Sequence, residues 1–399
     1  MNEEEIHPTT PDNKLNYLGA HLLNKYYHDR TIRGTDEKKM KHPVYVLHDP
    51  KDIPLIMYCA NANNLQTYGI IVTIGGHRSP ILVNNTEIHV FESLGTEERR
   101  FGISCATQIA LSIAKAKEFL PEKSIHIYKE YRQIDLVSCG SDSFMVLKEA
   151  FRLCDDNQRI TMYPGVTQEY TNINISDFMK KEKQDSFYQD VVATVVQHEE
   201  LPANIAKYIQ DQNKIVSMSE ERTNQTIKPG MTLNQYYLNK IGNLDQLPKI
   251  PRFLVQNTDS TINKPEYEHI GNKTVSIRRD KHAKLLKTMV KQLSNDDIKA
   301  AILSSSGLNL LDSIIIEKGP LPEKVWELYG LTNTDLSNVN NKNKKDDYVN
   351  SEITNIINPE NGLPTPQEIT LPQIARLIQC IHTEKTEQTQ TKSPRKASY

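Results

Sequence analysis

The sequence predicts an α+β fold in which a small antiparallel sheet is flanked by helices. One observation is a set of short apolar runs rich in β-branched residues, at 44–47, 69–74, 81–83 and 88–91. Another is a longer stretch, 105–120, in which Ala, Ile and Leu recur at helical spacing. Strands and helices that follow one another in separate groups are typical of the α+β class.

Turn residues separate the last three of these strands. Gly75 and Gly76 precede the third run, and Asn84 and Asn85 precede the fourth. Glycine and asparagine accept the left-handed backbone conformations that tight hairpins require. These runs are therefore predicted to pair as a small antiparallel sheet, and 124–128 is predicted as a further short strand.

The helices are predicted from apolar spacing and from the residues that end them. Pro121 ends the helix at 105–120, because proline cannot continue helical hydrogen bonding. A second buried helix is predicted at 144–153, which places Cys139 immediately before a helix start. Further helical segments are predicted at 190–198, 204–214, 273–291 (strongly basic) and 295–337, the last with the single tryptophan.

Composition divides the chain into four parts. Residues 1–41 are polar and are predicted to form a loosely attached N-terminal arm, followed by the core at 42–291. A helical appendage is predicted at 292–337. Residues 338–399 lack the apolar side chains that offset the entropy of ordering, so they are predicted to be largely disordered apart from a short helix.

Charge and cysteine usage narrow the classes of function. The 48 Lys and Arg residues against 50 Asp and Glu give a net charge of −2, which argues against a nucleic-acid partner. Five scattered cysteines without CxxC spacing argue against a disulfide framework and a structural zinc, and favour a reducing compartment. The acidic start predicts no signal peptide and no myristoylation, and the absence of a long apolar run predicts no integral membrane segment.

Cys139 is the candidate nucleophile. Its surroundings, SCGSDS, are polar and turn-like, whereas a typical isolated cysteine is a small apolar core residue. A helix start stabilises a thiolate through the helix dipole, and Gly140 allows close approach of the backbone.

His77, Glu92 and Gln133 complete the candidate site. His77 follows two glycines at the end of an apolar strand, and Glu92 closes the strand that antiparallel pairing brings near it. Such a carboxylate orients an imidazole base. Gln133 lies six residues before Cys139 and offers an amide donor for an oxyanion. Each residue alone has a plain structural explanation, so the prediction depends on their joint order.

Four segments carry that order, YGIIVTIGGHRSPILV, IHVFESLG, ALSIAKAKEFLPEKSIHIYKEYRQ and QIDLVSCGSDSFMVLKEAF. Together they resemble the YopJ family of bacterial effector acetyltransferases, whose fold is similar to that of ubiquitin-like-protein cysteine proteases. The resemblance covers 42–291, with weaker similarity at 201–214 and 273–291. It implies a papain-like catalytic core of the ubiquitin-like-protease type with a helical regulatory region.

The resemblance also implies residue roles and an activity. By residue type and order, His77, Glu92, Cys139 and Gln133 match the base, acid, nucleophile and oxyanion glutamine of the family. The implied reaction moves an acetyl group from acetyl-CoA through an acetyl-cysteine to Ser, Thr or Lys side chains of host signalling proteins. Such an effector is secreted by a bacterial delivery system into the host cytoplasm.

Inositol hexakisphosphate is the activator that the resemblance implies. Clustered basic side chains bind such a polyanion through charge-assisted hydrogen bonds. The candidate patch consists of Arg278, Arg279, Lys281 and His282, although a solvated basic helix has the same composition.

Two alternatives stay open at the level of the sequence. A deubiquitinase or ubiquitin-like-protein protease uses the same Cys, His and Glu set, since both reactions pass through an acyl-enzyme. A degenerate family member would only bind a host protein or inositol phosphate. In that case Ser143, in GSDS, takes the place of the nucleophile.

Overall fold

The fold is described from a computed structural model of the chain. The structure describes residues 7–29, 40–95, 99–100, 103–133, 137–155, 168–178, 180, 185–199, 201–202, 205, 267–331, 370–376, 378–380 and 382. Its strands are β1 Val44–Leu47, β2 Tyr68–Ile74, β3 His77–Val83, β4 Glu87–Val90, β5 Arg99–Arg100, β6 Ile103–Ser104, β7 Ser124–Tyr128, β8 Gln168–Asn174 and β9 Val192–His198. Its helices are α1 Tyr17–His28, α2 Ile53–Ala62, α3 Cys105–Lys115, α4 Cys139–Asp155, α5 Tyr267–Gln292, α6 Asn295–Ser305, α7 Leu308–Lys318 and α8 Glu323–Glu327.

The main sheet has seven strands in the order β1-β2-β3-β4-β7-β9-β8. Strands β2, β3 and β4 pair antiparallel through the two predicted turns. However, β1 is parallel to β2, and β4, β7 and β9 are parallel to one another. The α+β class is confirmed, and the predicted antiparallel pairing holds for β2, β3 and β4, but the sheet is larger than predicted and mixed. Parallel neighbours are joined through long connections such as α2, which leave no turn signal in the sequence.

Helices cover both faces of this sheet. One core contains residues of α2, α3, α7 and α8, and the other contains residues of α1, α4, α5 and α6. Along β3 the side chains alternate between them, with Ile81 and Val83 in the first core and Leu82 in the second. Trp326 of α8 is fully buried in the first core, so the predicted helical appendage packs against the sheet.

The N-terminal segment is not a loosely attached arm over the residues that the structure describes. Leu18, Leu22 and Leu23 of α1 have no exposed surface. The helix begins at a proper cap, because the side chain of Asn16 accepts a hydrogen bond from the Gly19 N–H. The charged residues around α1 raised the average polarity of 1–41 and outweighed its short apolar stripe.

The helix predicted at 190–198 was also wrong, because this segment forms β9. Its sequence, VATVVQH, is dominated by β-branched residues, which favour strands over helices. The helix predicted at 204–214 lies almost wholly outside the described residues. The same holds for most of 338–399, although 371–376 and 378–380 are helical and contribute Ile374, Ala375 and Ile378 to the first core.

Among the described residues, none of the helices by itself combines the length and the hydropathy that a membrane-spanning helix needs. The pair formed by α6 and α7 reaches that length and composition only across a 68° bend.

Candidate active site

Three chain segments meet at one end of the sheet. His77 is the first residue of β3, Cys139 is the first residue of α4, and Glu92 follows β4. The position of His77 depends on the turn before it, where Gly75 and Gly76 have positive φ angles of 55° and 77°. A side chain at either position would strain this turn, so the glycines set the Ile74 to His77 pairing that ends the hairpin.

Glu92 is held by three donors. Its Oε1 lies 2.6 Å from His77 Nε2 and accepts a hydrogen bond of 2.9 Å from the Leu94 N–H. The Ser79 hydroxyl donates to Oε2. Burial raises the pKa of this carboxyl, but the charge of His77 and these hydrogen bonds outweigh it, so the pKa lies below its usual value. Glu92 is therefore an ionised carboxylate that fixes the imidazole.

Cys139 and His77 share a hydrogen bond. Burial raises the pKa of the Cys139 thiol, but the hydrogen bond and charge of His77, with Arg78 and Lys14, lower it to about 7. Burial lowers the pKa of His77, whereas Glu92 and Cys139 raise it above its usual value. The pair therefore favours a thiolate beside an imidazolium, at the helix end that stabilises negative charge.

Ser143 does not take the place of the nucleophile in this geometry. It lies one helical turn after Cys139, and its hydroxyl donates to the backbone carbonyls of Cys139 and Arg78 at 2.8 and 3.2 Å. Because His77 contacts Cys139, the register that places a cysteine at the site is the one the geometry favours.

Gln133 is connected to the same site through Ser93. The Ser93 hydroxyl donates to Gln133 Oε1 at 2.7 Å and lies 3.4 Å from His77 Nε2. The N–H groups of Arg132 and Gln133 both donate to the Ser93 carbonyl, at 2.7 and 2.9 Å. The Ser93 hydroxyl therefore links the amide of Gln133 to the imidazole of His77.

A buried ion pair fixes the Gln133 loop to α4. Arg132 has no exposed surface, and its Nη2 lies 2.6 Å from Asp142 Oδ2 in the first turn of α4. The same nitrogen donates to the Phe91 carbonyl at 2.9 Å. Arg132 thus ties the loop that carries Gln133 both to the strand end before Glu92 and to the helix that carries Cys139.

Replacing Gln133 with alanine is expected to slow acyl transfer by about 100- to 1000-fold, the range for one lost oxyanion donor. The comparison is the single-turnover transfer rate against that of Gln292→Ala, a change at an exposed glutamine of α5. The melting temperatures should stay close to that of the wild type. An unchanged transfer rate in Gln133→Ala would remove Gln133 from the reaction.

The basic patch is only partly brought together. Arg278 and Lys281 are exposed on α5, and Arg279 lies beside Asp280, with its Nε 3.3 Å from the carboxylate. His282 is buried, and the patch prediction was wrong for it. Its Nδ1 and Nε2 lie 3.1 Å from Ser141 Oγ and 2.9 Å from Tyr27 Oη.

His282 connects three helices in the interior of the protein. Burial, followed by the charges of Arg278 and Lys148, lowers the pKa of His282 to about 3, so its ring is neutral. A neutral imidazole with two hydrogen bonds joins α5 to α1 and to the first turn of α4. A periodicity argument could have found it, because His282, Leu286 and Met289 form the buried stripe of α5.

Several side chains of the site were not predicted from the sequence. Ser79 lies two residues after His77 on the same face of β3, because side chains alternate between the two faces of a strand. That alternation was a usable signal. Ser93, Arg132 and Asp142 had none, because their pairing depends on how the loop folds back onto α4.

The structure therefore has an α+β fold with a mixed sheet, and a buried cysteine, histidine and glutamate lie together at one end of that sheet. No family model matches the chain, and no curated protein matches it. Among the described residues, no group of His, Cys, Asp and Glu side chains is placed to hold a metal ion.

Proposed function

We propose that the chain is a cysteine-dependent acetyltransferase that carries an acetyl group on Cys139 and passes it to a Ser, Thr or Lys side chain of a host protein. The observation that carries the proposal is the connected set in which Glu92 holds His77 at 2.6 Å and His77 bonds to Cys139. A thiolate, a protonated base and an orienting carboxylate are the requirements for forming an acyl-cysteine.

The reaction would proceed in two steps, acetylation of Cys139 and transfer to the acceptor. The Cys139 thiolate attacks the thioester carbonyl of acetyl-CoA, a new C–S bond forms, and the bond to the coenzyme sulfur breaks. His77 gives its proton to the departing coenzyme thiolate. The acceptor hydroxyl or amine then attacks the acetyl-cysteine, His77 takes its proton, and Cys139 leaves as a thiolate. Gln133 would donate to the oxyanion of each intermediate.

The finer fold assignment is part of the same proposal. A nucleophile at the start of a helix, packed against a sheet that carries the histidine and acid on adjoining strands, supports a papain-like core of the ubiquitin-like-protease type. Here α4 packs on β3, and β3 pairs with β4, the strand that Glu92 follows in the chain. The parallel strands β7 and β9 extend this sheet on the side of β4.

Burial favours transfer over hydrolysis by a deubiquitinase or ubiquitin-like-protein protease. Cys139 is 1% exposed and His77 is 3% exposed. A closed site protects an acyl-cysteine from water, which is an advantage for a transferase and an obstacle for a protease, whose second substrate is water. The packing of α5 against α4 through His282 and Ser141 supports a regulatory helix that acts on the catalytic helix.

Inositol hexakisphosphate is the proposed activator. Arg278 and Lys281 fit a polyanion because they are exposed and basic, and Lys284 and Lys287 are also exposed on α5. His282 does not fit, since its ring is buried and neutral. Delivery by a bacterial secretion system into the host cytoplasm, with host signalling proteins as acceptors, belongs to this proposal through the family resemblance alone.

The proposal is tested with labelled acetyl-CoA. We expect the full-length protein to form acetyl-Cys139, detected by mass spectrometry after acid quench, and to label itself more strongly with inositol hexakisphosphate. A ubiquitin substrate with a fluorogenic C-terminus tests the alternative in parallel. Cleavage of that substrate without acetylation of Cys139 would establish the protease and contradict the transferase.

A further inference from the structure

A short hairpin precedes α1. Residues 8–15, the N-terminal hairpin, are closed by a bridge between Thr9 and Leu15 and by hydrogen bonds of 2.9 Å from Thr10 N–H to the Lys14 carbonyl and from Asn13 N–H to the Thr10 carbonyl. Asn13 has a positive φ of 60° at the turn, a conformation that asparagine tolerates. The segment is therefore an ordered element.

The N-terminal hairpin is attached at its base and its tip. At the base, a Cβ at Gly19 would lie 2.0 Å from the Pro8 carbonyl oxygen, so only glycine permits this approach. At the tip, the Asn13 side-chain amide donates to Asp280 of α5 at 3.2 Å. These contacts hold the hairpin between α1 and the basic helix.

This hairpin lies directly over the catalytic pair. Arg78, the neighbour of His77, donates from Nη1 to the Leu15 carbonyl at 2.6 Å. A Cβ at Gly140, next to the nucleophile, would lie 3.1 Å from Leu15 Cδ1, so the leucine side chain rests on the first turn of α4. These contacts explain why a nucleophile at the end of a helix is almost completely buried.

The third contact brings an amine to the site. Lys14 Nζ is the nearest atom to the space beside Gly76, 3.9 Å from where a Cβ would lie, and Gly76 directly precedes His77. The positive charge of Lys14 also acts on Cys139 and lowers the pKa of its thiol, after the larger effects of His77 and Arg78. The hairpin therefore presents a lysine at the mouth of the catalytic site.

We propose that the N-terminal hairpin occupies the acceptor site, and that the acceptor is an extended peptide segment that presents a lysine where Lys14 lies. The contact from Arg78 to a main-chain carbonyl recognises a peptide of any sequence. The surface at Gly140 takes the apolar residue that follows the lysine. Arg78 Nε is buried and has no hydrogen-bond partner among the described residues, which leaves a second donor for a substrate carbonyl.

The transfer step in this inference rests on the proposed function. The neutral lysine amine attacks the carbonyl of acetyl-Cys139, a C–N bond forms, and the C–S bond breaks. His77 receives the amine proton, and Cys139 leaves as a thiolate. The same geometry makes Lys14 the first acceptor in cis, whereas a substrate in trans must displace the hairpin.

Binding is tested in the full-length chain without any acetyl donor. Leu15→Asp places a carboxylate at a position that is 2% exposed and should release the hairpin, and Leu15→Ala weakens the same contact without adding charge. The probe is a fluorescein-labelled peptide of residues 7–16, HPTTPDNKLN. We expect saturable binding to both variants, with Leu15→Asp the tighter. Binding to the wild type should be at least about tenfold weaker, because a tethered segment competes at an effective concentration on the order of millimolar.

Exposure of Cys139 gives a second readout. We expect Leu15→Asp to react with iodoacetamide at Cys139 at least about tenfold faster than the wild type, because a tethered hairpin otherwise blocks the thiol. The peptide should reverse this gain. The matched control is Asp12→Ala, at an exposed residue of the same hairpin, with wild-type labelling. Far-UV circular dichroism and melting establish that each variant is folded.

The outcomes separate this inference from the proposed function. Faster labelling of Cys139 without peptide binding to either leucine variant would overturn the acceptor site, and so would unchanged labelling in folded variants.

If the peptide binds, acetyl-CoA should acetylate its lysine, and a peptide with Lys14→Ala should bind but accept nothing. Binding without acetylation of Cys139 would overturn the acetyltransferase and keep the peptide site. Acetylation of Cys139 with transfer only to Ser or Thr would overturn the lysine assignment.

Discussion

Replacing Cys139 with alanine is expected to abolish acetyl transfer and leave the fold intact. In the proposed reaction the sulfur is the atom that forms the acyl bond, so no other group in the site replaces it. Alanine removes one buried atom from the start of α4, and the hydrogen bonds that hold His77 to Glu92 do not involve it. The measurements are single-turnover transfer from labelled acetyl-CoA and thermal melting.

Two further variants serve as controls for this result. Cys59→Ala is the matched change, since Cys59 is also fully buried but lies in an apolar core, where burial raises the pKa of its thiol. It should transfer at the wild-type rate. Ser143→Ala should also remain active, because among the described residues its hydroxyl bonds to two backbone carbonyls and to no side chain of the catalytic set. Loss of transfer in Ser143→Ala with full activity in Cys139→Ala would move the nucleophile to the serine.

The pieces of the site that could be predicted are those fixed by local structure. Gly75 and Gly76 mark a tight turn whose end is His77, and Asn84 and Asn85 mark the next turn before Glu92. Antiparallel pairing through two such turns brings the two residues to the same end of the sheet, and the structure shows this. Turn residues therefore predict contacts between residues that are close in the sequence.

The parts that could not be predicted depend on contacts between distant segments. The bond from Arg78 to the Leu15 carbonyl joins residues 63 positions apart, and that from His282 to Ser141 joins residues 141 apart. No periodicity in either segment specifies its partner. The parallel pairing of β7 with β9 is of the same kind, since a long connection separates the two strands.

Replacing His77 with alanine is expected to remove transfer as completely as loss of the nucleophile and to change the titration of Cys139. The hydrogen bond and charge of His77 are the largest effects that lower the pKa of this thiol, against burial, which raises it. Without the imidazole, burial prevails and the pKa rises from about 7 toward or above the usual value of a thiol. Because the thiolate is the reactive form, less of it is present at neutral pH.

Alkylation of Cys139 measures this effect directly, since it needs neither coenzyme nor acceptor. The rate of labelling by iodoacetamide, followed on the Cys139 peptide by mass spectrometry, should rise with pH around about 7 in the wild type and at distinctly higher pH in His77→Ala. His42→Ala is the matched control, because His42 bonds to Asp155 at the opposite end of the helix that Cys139 begins, and its profile should be that of the wild type.

The transfer rate and the alkylation profile of Glu92→Gln should lie between those of the wild type and His77→Ala. The amide keeps the volume of the carboxylate but not its charge, and it has only one oxygen for the three donors of His77, Ser79 and Leu94. A mis-oriented imidazole still accepts a proton, so transfer should be slower but measurable. The loss of the carboxylate also lowers the pKa of His77 and so moves the alkylation profile of Cys139 upward by less than His77→Ala does. Identical profiles in all three proteins would show that His77 does not act on the thiol, and a wild-type rate in Glu92→Gln would assign its orientation to another group.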